Sequence, residues 1–127
     1  MAETCTPEQL PQVIERYMRE YGERAEKAVR KDILSVSKEA QDKLRSTSPR
    51  RYGSYAESWS RRIQNGSLGS VTTTLYSRLP GLPHLLEFGH ALRGGGRARA
   101  MPHIAPVESL ANTEVERKIR QDLSKIH

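Results

Sequence analysis

Residues 10–44 read LPQVIERYMREYGERAEKAVRKDILSVSKEAQDKL, and this stretch decides the fold. Its apolar side chains recur at steps of three and four residues, which predicts a helix with one apolar stripe. The stripe consists of Leu10, Val13, Ile14, Tyr17, Met18, Tyr21, Ala25, Ala28, Val29, Ile33, Val36, Ala40 and Leu44. At about 1.5 Å per residue the helix would be roughly 55–60 Å long, whereas a compact domain of this size is about 28 Å across. The helix therefore either bends near Gly22 or projects onto a neighbouring subunit.

The ends of this helix are marked by residues with well-known positional preferences. Thr6 can cap it, Pro7 suits the first turn, and Glu8 favours the positive end of the helix dipole. Residues 46–49, Ser-Thr-Ser-Pro, predict its end.

A β-hairpin is predicted after the helix. Residues 57–64 and 70–77 have strand composition, and residues 65–69, NGSLG, have turn composition. The first strand places Trp59, Arg61 and Ile63 on one face, and we expect Trp59 to belong to the core.

The remaining sequence predicts two more helices and a loop. A short helix is predicted at 83–88, ending at Gly89, and we expect its side chains Leu85, Leu86 and Phe88 to be buried. A loop rich in glycine and arginine follows at 91–101. Residues 106–126 carry a second apolar stripe and predict the last helix. We therefore predict an α+β fold in a single domain, 1–127, made of a helical segment (1–48), a strand-rich core (49–104) and a C-terminal helix (105–127).

Composition limits the class of protein. Leu, Ile, Val and Phe number only 25 of 127 residues, so the core is lean and we expect a partner surface to add stability. No apolar run approaches the roughly 20 residues that span a bilayer, and the first five residues do not resemble a signal peptide. The single cysteine, Cys5, excludes an internal disulfide and fits a reducing compartment.

The positive charge lies in the middle of the chain. The net charge of +6 divides into −2 for residues 1–42, +8 for 43–104 and 0 for 105–127. Such a basic region either binds a polyanion, nucleic acid above all, or is a solvated face that keeps the protein soluble. The candidate contacts to DNA or to a partner protein are Arg50, Arg51, Arg61, Arg62, Arg93, Arg97 and Arg99, with Arg45 extending the set. The glycines around Arg93, Arg97 and Arg99 predict a mobile cationic loop. This loop either contacts phosphate groups or becomes ordered only when the protein assembles.

Catalytic patterns are sparse. His84, Glu87, His90 and His103 raise the question of a metal site, but the spacing of His84 and His90 does not match the helical zinc motif. We expect Glu87 to pair with an arginine or a backbone amide. The sequence predicts no catalytic residue, no metal and no cofactor.

Three motifs occur in a familiar order: GSYAESW at 53–59, LLEFGH at 85–90, and MPHIAPV at 101–107 before the last helix. This order resembles the tail-completion, or neck, proteins of tailed bacteriophages, a lambdoid tail-component family that is minor tail protein Z-like. His90 stands where the family usually has Thr, and Val107 where it usually has Ala.

The resemblance implies a small α+β subunit of a ring, a hexamer, that lies between the head-side connector or stopper protein and the tail terminator or tail tube protein. Phage DNA would pass through the ring, which would be assembled in the bacterial host cytoplasm and remain in the virion neck. The resemblance implies structural roles for Glu87, Phe88 and Gly89, with Phe88 in the core, and for Pro102 and Pro106 at the start of the last helix. It implies no catalytic role.

Two other function classes stay open from the residues alone. One is a free-standing nucleic-acid-binding protein, which the basic middle supports. The other is a small metal-dependent hydrolase built on His84, Glu87 and His103.

Overall fold

The computed structural model describes residues 6–126, without the side chains of residues 51–53 and 68. Cys5 and the N-terminal residues before it lie outside the described residues. The fold is α+β, as the sequence predicts. Its first element is a continuous helix, α1 (Leu10–Thr47), which follows a 3-10 turn at Pro7–Gln9. With 38 residues, α1 is about 57 Å long, and its hydrogen-bonded turns continue through Gly22.

A β-hairpin packs against the C-terminal half of α1. Strands β1 (Trp59–Asn65) and β2 (Val71–Ser77) are antiparallel, with Trp59 opposite Ser77 and Asn65 opposite Val71. β1 begins two residues later than predicted, because residues Arg50–Ser58 form 3-10 turns. Trp59 is buried, Arg61 is half-buried and Ile63 is exposed, so β1 leaves the core as it advances.

The third part of the chain connects the hairpin to the last helix. Helix α2 (Leu82–Phe88) ends at Gly89, whose φ is +73°. The predicted loop at 91–101 contains part of a second small hairpin, β3 (His90–Ala91) with β4 (Arg97–Ala98). Helix α3 (Ile104–Leu123) then packs on α1 and begins two residues before the predicted start.

The core lies where α1, the β1–β2 hairpin, α2 and α3 meet. Its buried apolar members are Ala40, Leu44, Tyr55, Trp59, Leu86 and Val107. The predicted burial of Trp59 is confirmed, since only 4% of it is exposed. Between residues 6 and 126 no helix combines the length and the apolar character needed to cross a membrane.

The prediction that Phe88 belongs to the core is wrong. Phe88 is 64% exposed and lies against the ring of His84, with 4.9 Å between the ring centroids. At 100° per residue, Leu86 and Phe88 point about 200° apart on α2. Because α2 buries Leu86, Phe88 faces outward; Leu85 is also 39% exposed.

Candidate functional site

The carboxylate of Glu87 joins the two motifs at 85–90 and 101–107. Its Oε1 accepts hydrogen bonds from the backbone N–H groups of His103 (2.7 Å) and Ile104 (2.9 Å), and its Oε2 accepts one from Ala105 (2.9 Å). These donors lie at the start of α3, where helix N–H groups lack intrahelical partners. The prediction that Glu87 pairs with a backbone amide is therefore confirmed.

Glu87 has a lowered pKa in the folded protein. Burial by itself would raise that pKa, but hydrogen bonds from the amides of His103, Ala105 and Ile104 outweigh it, aided by the proximity of the His103 ring. The carboxylate is thus held ionised as a cap on α3.

A buried hydrogen-bonded chain continues from Glu87 to Tyr55. Nδ1 of His103 lies 2.9 Å from the carbonyl oxygen of Met101 and 3.2 Å from Oε1 of Glu87, and its Nε2 lies 2.7 Å from the Tyr55 hydroxyl. With the proton on Nδ1, that nitrogen donates to Met101 and Nε2 accepts from Tyr55. Burial and the charge of Glu87 raise the pKa of Tyr55 to about 12.

This Tyr–His–Glu arrangement has a catalytic composition but lies in the core. Tyr55 is 0% exposed, His103 4% and Glu87 6%, so a substrate cannot reach them in this conformation. His84, the third member of the possible hydrolase site, is instead exposed beside Phe88. Among residues 6–126, no group of three or more His, Cys, Asp or Glu side chains is placed to hold a metal ion.

The arginines of the basic middle region take different roles in the structure. Arg61 turns toward α1 and donates to the carbonyl of Leu34 (2.8 Å) and the hydroxyl of Ser37 (3.0 Å). Arg62 points to the other face of the strand, where its guanidinium lies 5.1 Å from the centroid of the Tyr76 ring. Arg61 therefore supports the packing of β1 on α1.

The three arginines of the glycine-rich segment are exposed. Arg93 lies in the turn of the small hairpin, Arg97 in β4, and Arg99 just after it. The backbone of this turn is hydrogen-bonded, with the N–H of Leu92 donating to the carbonyl of Gly96 at 3.0 Å. The segment therefore presents its positive charge on a short hairpin.

A second group of arginines surrounds an open cleft, where the C-terminal end of α1 meets the 3-10 segment and the end of β2. The cleft has a volume of about 640 Å³ and is lined by Arg45, Arg50 and Arg78. The side chain of Arg51 lies outside the described residues. Arg78 was not among the predicted site residues, because no sequence pattern relates it to Arg50 or Arg45, which lie 28 and 33 residues earlier in the chain.

An exposed apolar stripe occupies the first part of α1. Among residues 6–24 every side chain is exposed except that of Val13, which is half-buried. The large apolar side chains here, with their exposed fractions, are Leu10 (48%), Ile14 (49%), Tyr17 (44%), Met18 (70%) and Tyr21 (45%). We call residues 7–24 the arm. Its stripe continues the apolar face of α1 but covers no part of the subunit's own core.

One buried charge went unpredicted. Asp32 on α1 is only 3% exposed, and its Oδ2 makes no hydrogen bond to the described residues. Burial raises its pKa most, and the nearby carboxyl group of Asp122 raises it further, against opposing effects of Lys31 and Lys118. The α1–α3 contact therefore contains a carboxyl group that is costly to ionise.

Comparison of the chain with protein-family models, with curated proteins and with solved structures gives no match. The functional assignment therefore rests on the geometry above and on the three sequence motifs.

Proposed function

We propose that the protein is a structural subunit of the neck of a tailed bacteriophage. In this proposal the subunits form a hexameric ring that completes the tail, contacts the head-side connector or stopper and the tail terminator or tube, and surrounds the DNA. The ring has no catalytic role and no cofactor, and it ends in the virion after assembly in the host cytoplasm.

The observation that carries the proposal is the arm. Five large apolar side chains are exposed along one face of a helix that extends beyond its own core. Contiguous exposed apolar surface of this kind marks an interaction site. A subunit with few large apolar residues gains stability when such a surface is buried by a neighbour.

The charges beside the stripe support a head-to-tail contact between copies. At 100° per residue, Glu8, Glu15 and Glu26 lie on one flank of the stripe with Arg19, which pairs with Glu15 at 3.1 Å, so this flank is acidic on balance. Arg16, Arg24 and Lys27 lie toward the other flank with Glu20, so that flank is basic on balance. Parallel arms packed side by side would bring the acidic flank of one against the basic flank of the next. Contacts of this heterologous type generate a ring when the rotation between neighbouring copies closes.

The link between the motifs also supports the proposal. The resemblance to neck proteins rests on the order of the boxes at 85–90 and 101–107, and Glu87 of the first box caps the helix opened by the second. Their joint occurrence thus has a physical reason, although the cap alone does not specify a neck protein.

The experiment that tests the function is loss of the gene from the phage genome that encodes it. We expect lysates to contain DNA-filled heads and separate tails by electron microscopy, and wild-type protein supplied in trans to restore joined particles. Infectious virions of normal appearance without the protein would contradict the proposal.

The arm is tested with two substitutions that change charge equally. Met18→Asp places a carboxylate on the stripe, whereas Gln12→Asp places one about 120° around the same helix. Both side chains are exposed, so both subunits should melt like the wild type. We expect only Met18→Asp to fail in restoring joined particles. Equal restoration by both would show that the stripe is not an assembly surface.

A free-standing nucleic-acid-binding protein is the second candidate, which the arginine cleft favours. Such a protein would bind DNA in isolation, and the Met18→Asp variant would remain fully functional because no ring is needed.

A further inference from the structure

Backbone carbonyl groups hold two of the three arginines that line the cleft of Arg45, Arg50 and Arg78. Arg45 donates from Nη2 to the carbonyl of Trp59 at 2.9 Å, and Arg78 donates from Nη2 to the carbonyl of Glu57 at 3.1 Å. These backbone contacts fix two guanidinium groups in place without neutralising them. The Nε of Arg45 is buried and has no partner among the described residues.

Carboxylates offset this charge only in part, since three arginines and two acids, Asp42 and Glu57, line the cleft. Within the part of the chain that the structure describes, none of the three arginines is in an ion pair. Of the two acids lining the cleft, Asp42 is paired with Lys38 at 3.2 Å, and Glu57 forms no ion pair with a described residue.

Arginines elsewhere on the helices behave differently. Arg19, Arg117 and Arg120 each pair with a glutamate three or four residues away. The three cleft arginines thus border one open space without an ion pair to a described residue.

We propose that this cleft binds a phosphate group of the DNA backbone. Guanidinium groups match phosphate oxygens through paired, charge-assisted hydrogen bonds. A phosphate is compact and presents several acceptors at once, so it can be shared by arginines from three separate elements. The open form of the cleft suits a ligand that passes along the surface, and phosphate contacts of this kind carry no sequence specificity.

The choice of DNA as the source of the phosphate rests on the proposed neck function, whereas the assignment of a phosphate site to the cleft rests only on its arginines. DNA passing through a ring of subunits would meet one such cleft per subunit. The inference assigns the phosphate contacts to the body of the subunit, in addition to the exposed arginines of the glycine-rich hairpin.

The test measures binding of purified full-length protein to fluorescein-labelled duplex DNA by anisotropy at several salt concentrations. The test variant is Arg50→Gln with Arg78→Gln. Arg45 is left unchanged, because its contact with the Trp59 carbonyl makes its loss a risk to folding. The matched control is Arg117→Gln with Arg120→Gln, which removes the same charge from exposed, paired positions on α3.

We expect the cleft variant to bind DNA about tenfold or more weakly, with a salt slope smaller by about one, since the cleft holds one phosphate. The control should bind nearly as the wild type does. Equal weakening in both variants would overturn the proposal in favour of generic attraction by net charge. Unchanged DNA binding in the cleft variant would overturn it as well.

Two further measurements separate the alternatives. Titration calorimetry with inorganic phosphate detects a site for free phosphate. If Arg50→Gln with Arg78→Gln abolishes the binding of inorganic phosphate but leaves DNA affinity unchanged, DNA is not the source of the phosphate. Light scattering detects self-association, and loss of oligomers in that variant with normal DNA binding would assign the cleft to an acidic surface of a second copy. Unchanged DNA binding in the cleft variant would overturn the phosphate site but not the proposed assembly role, because that role is tested by the restoration of joined heads and tails.

Discussion

At the scale of single residues, the polar groups of the core determine how two distant motifs are joined. Glu87, His103 and Tyr55 would each destabilise the fold if buried alone, but together they satisfy one another and the first N–H groups of α3. Such a network favours one arrangement of α2 against α3, because any other leaves a buried charge without partners.

Glu87→Gln tests this network. We expect it to reduce the free energy of unfolding by about 2–3 kcal/mol, since an amide cannot accept all three backbone hydrogen bonds. Because the folded pKa of Glu87 lies below its ordinary value of 4.5, the stabilisation is present above that pH and is lost as the pH falls through the folded pKa.

Urea denaturation of wild type and Glu87→Gln between pH 7 and pH 3 measures both effects, with exposed Glu23→Gln as the control. The stability of the Glu87 variant should depend less on pH than that of the wild type. A variant with the wild-type midpoint and the wild-type pH dependence would show that the cap contributes nothing.

Trp59 and Phe88 provide a matched comparison of aromatic residues. Trp59→Ala should cost about 3–5 kcal/mol, since the indole is buried against Tyr55 and its N–H donates to the Ser48 hydroxyl. Phe88→Ala should change stability by no more than about 0.5 kcal/mol, since the ring is exposed. Thermal unfolding of both variants measures the difference; similar losses would show that Phe88 packs into the core in solution.

At the scale of elements, α1 performs two tasks along its length. Its C-terminal half carries the buried residues of the core, whereas its first turns carry only the exposed stripe. This division explains why Val29 and Ile33, which are half-buried, are poor positions to test assembly, since a charge there would disturb the subunit itself. Met18 and Ile14 separate the two tasks.

Two glycines at element positions should respond in opposite directions to alanine. Gly22 lies within α1, and a Cβ there meets no atom within 4 Å, so Gly22→Ala should stabilise by about 0.5–1 kcal/mol. Gly89 has φ +73°, and a Cβ there would lie 2.5 Å from the carbonyl oxygen of Ala98, so Gly89→Ala should destabilise by about 2 kcal/mol or more. Circular dichroism melts of the two variants give the signs, and destabilisation by Gly22→Ala would indicate a bend in α1 that alanine opposes.

At the scale of the whole molecule, the positive charge is divided among surfaces with different roles. Arg61 supports the packing of β1 on α1. The cleft is lined by Arg45, Arg50 and Arg78, and the glycine-rich hairpin presents three more arginines. The net charge of residues 43–104 therefore does not correspond to one uniform face.

Changing Arg93, Arg97 and Arg99 together to Gln tests the hairpin in the assembled particle. If the hairpin lines a DNA channel, particles should assemble but retain or eject DNA abnormally, because each lost phosphate contact weakens salt-sensitive binding. Electron microscopy and ejection assays measure this. Heads and tails that fail to join, with normal DNA packaging, would instead identify the hairpin as a docking element that depends on particular acidic partners.

Much of the fold followed from local patterns. The three-to-four-residue period of residues 10–44 indicated α1, strand composition on both sides of residues 65–69 indicated the β1–β2 hairpin, and Gly89 marked the end of α2. These signals depend on neighbours within a few positions, so they can be read without the tertiary structure. The start of α3 was placed two residues late because its cap comes from Glu87, 17 residues before Ile104.

The sequence by itself determined the three helices, the β1–β2 hairpin, the core position of Trp59 and the basic excess of the middle segment. Only the tertiary structure decided that Phe88 faces outward, that Arg61 is tied to α1, and that Arg78 joins Arg45 and Arg50 around one cleft. The physical reason is range: helix period and turn chemistry act between near neighbours, whereas burial of a particular face and pairing of a particular charge depend on which distant elements come into contact.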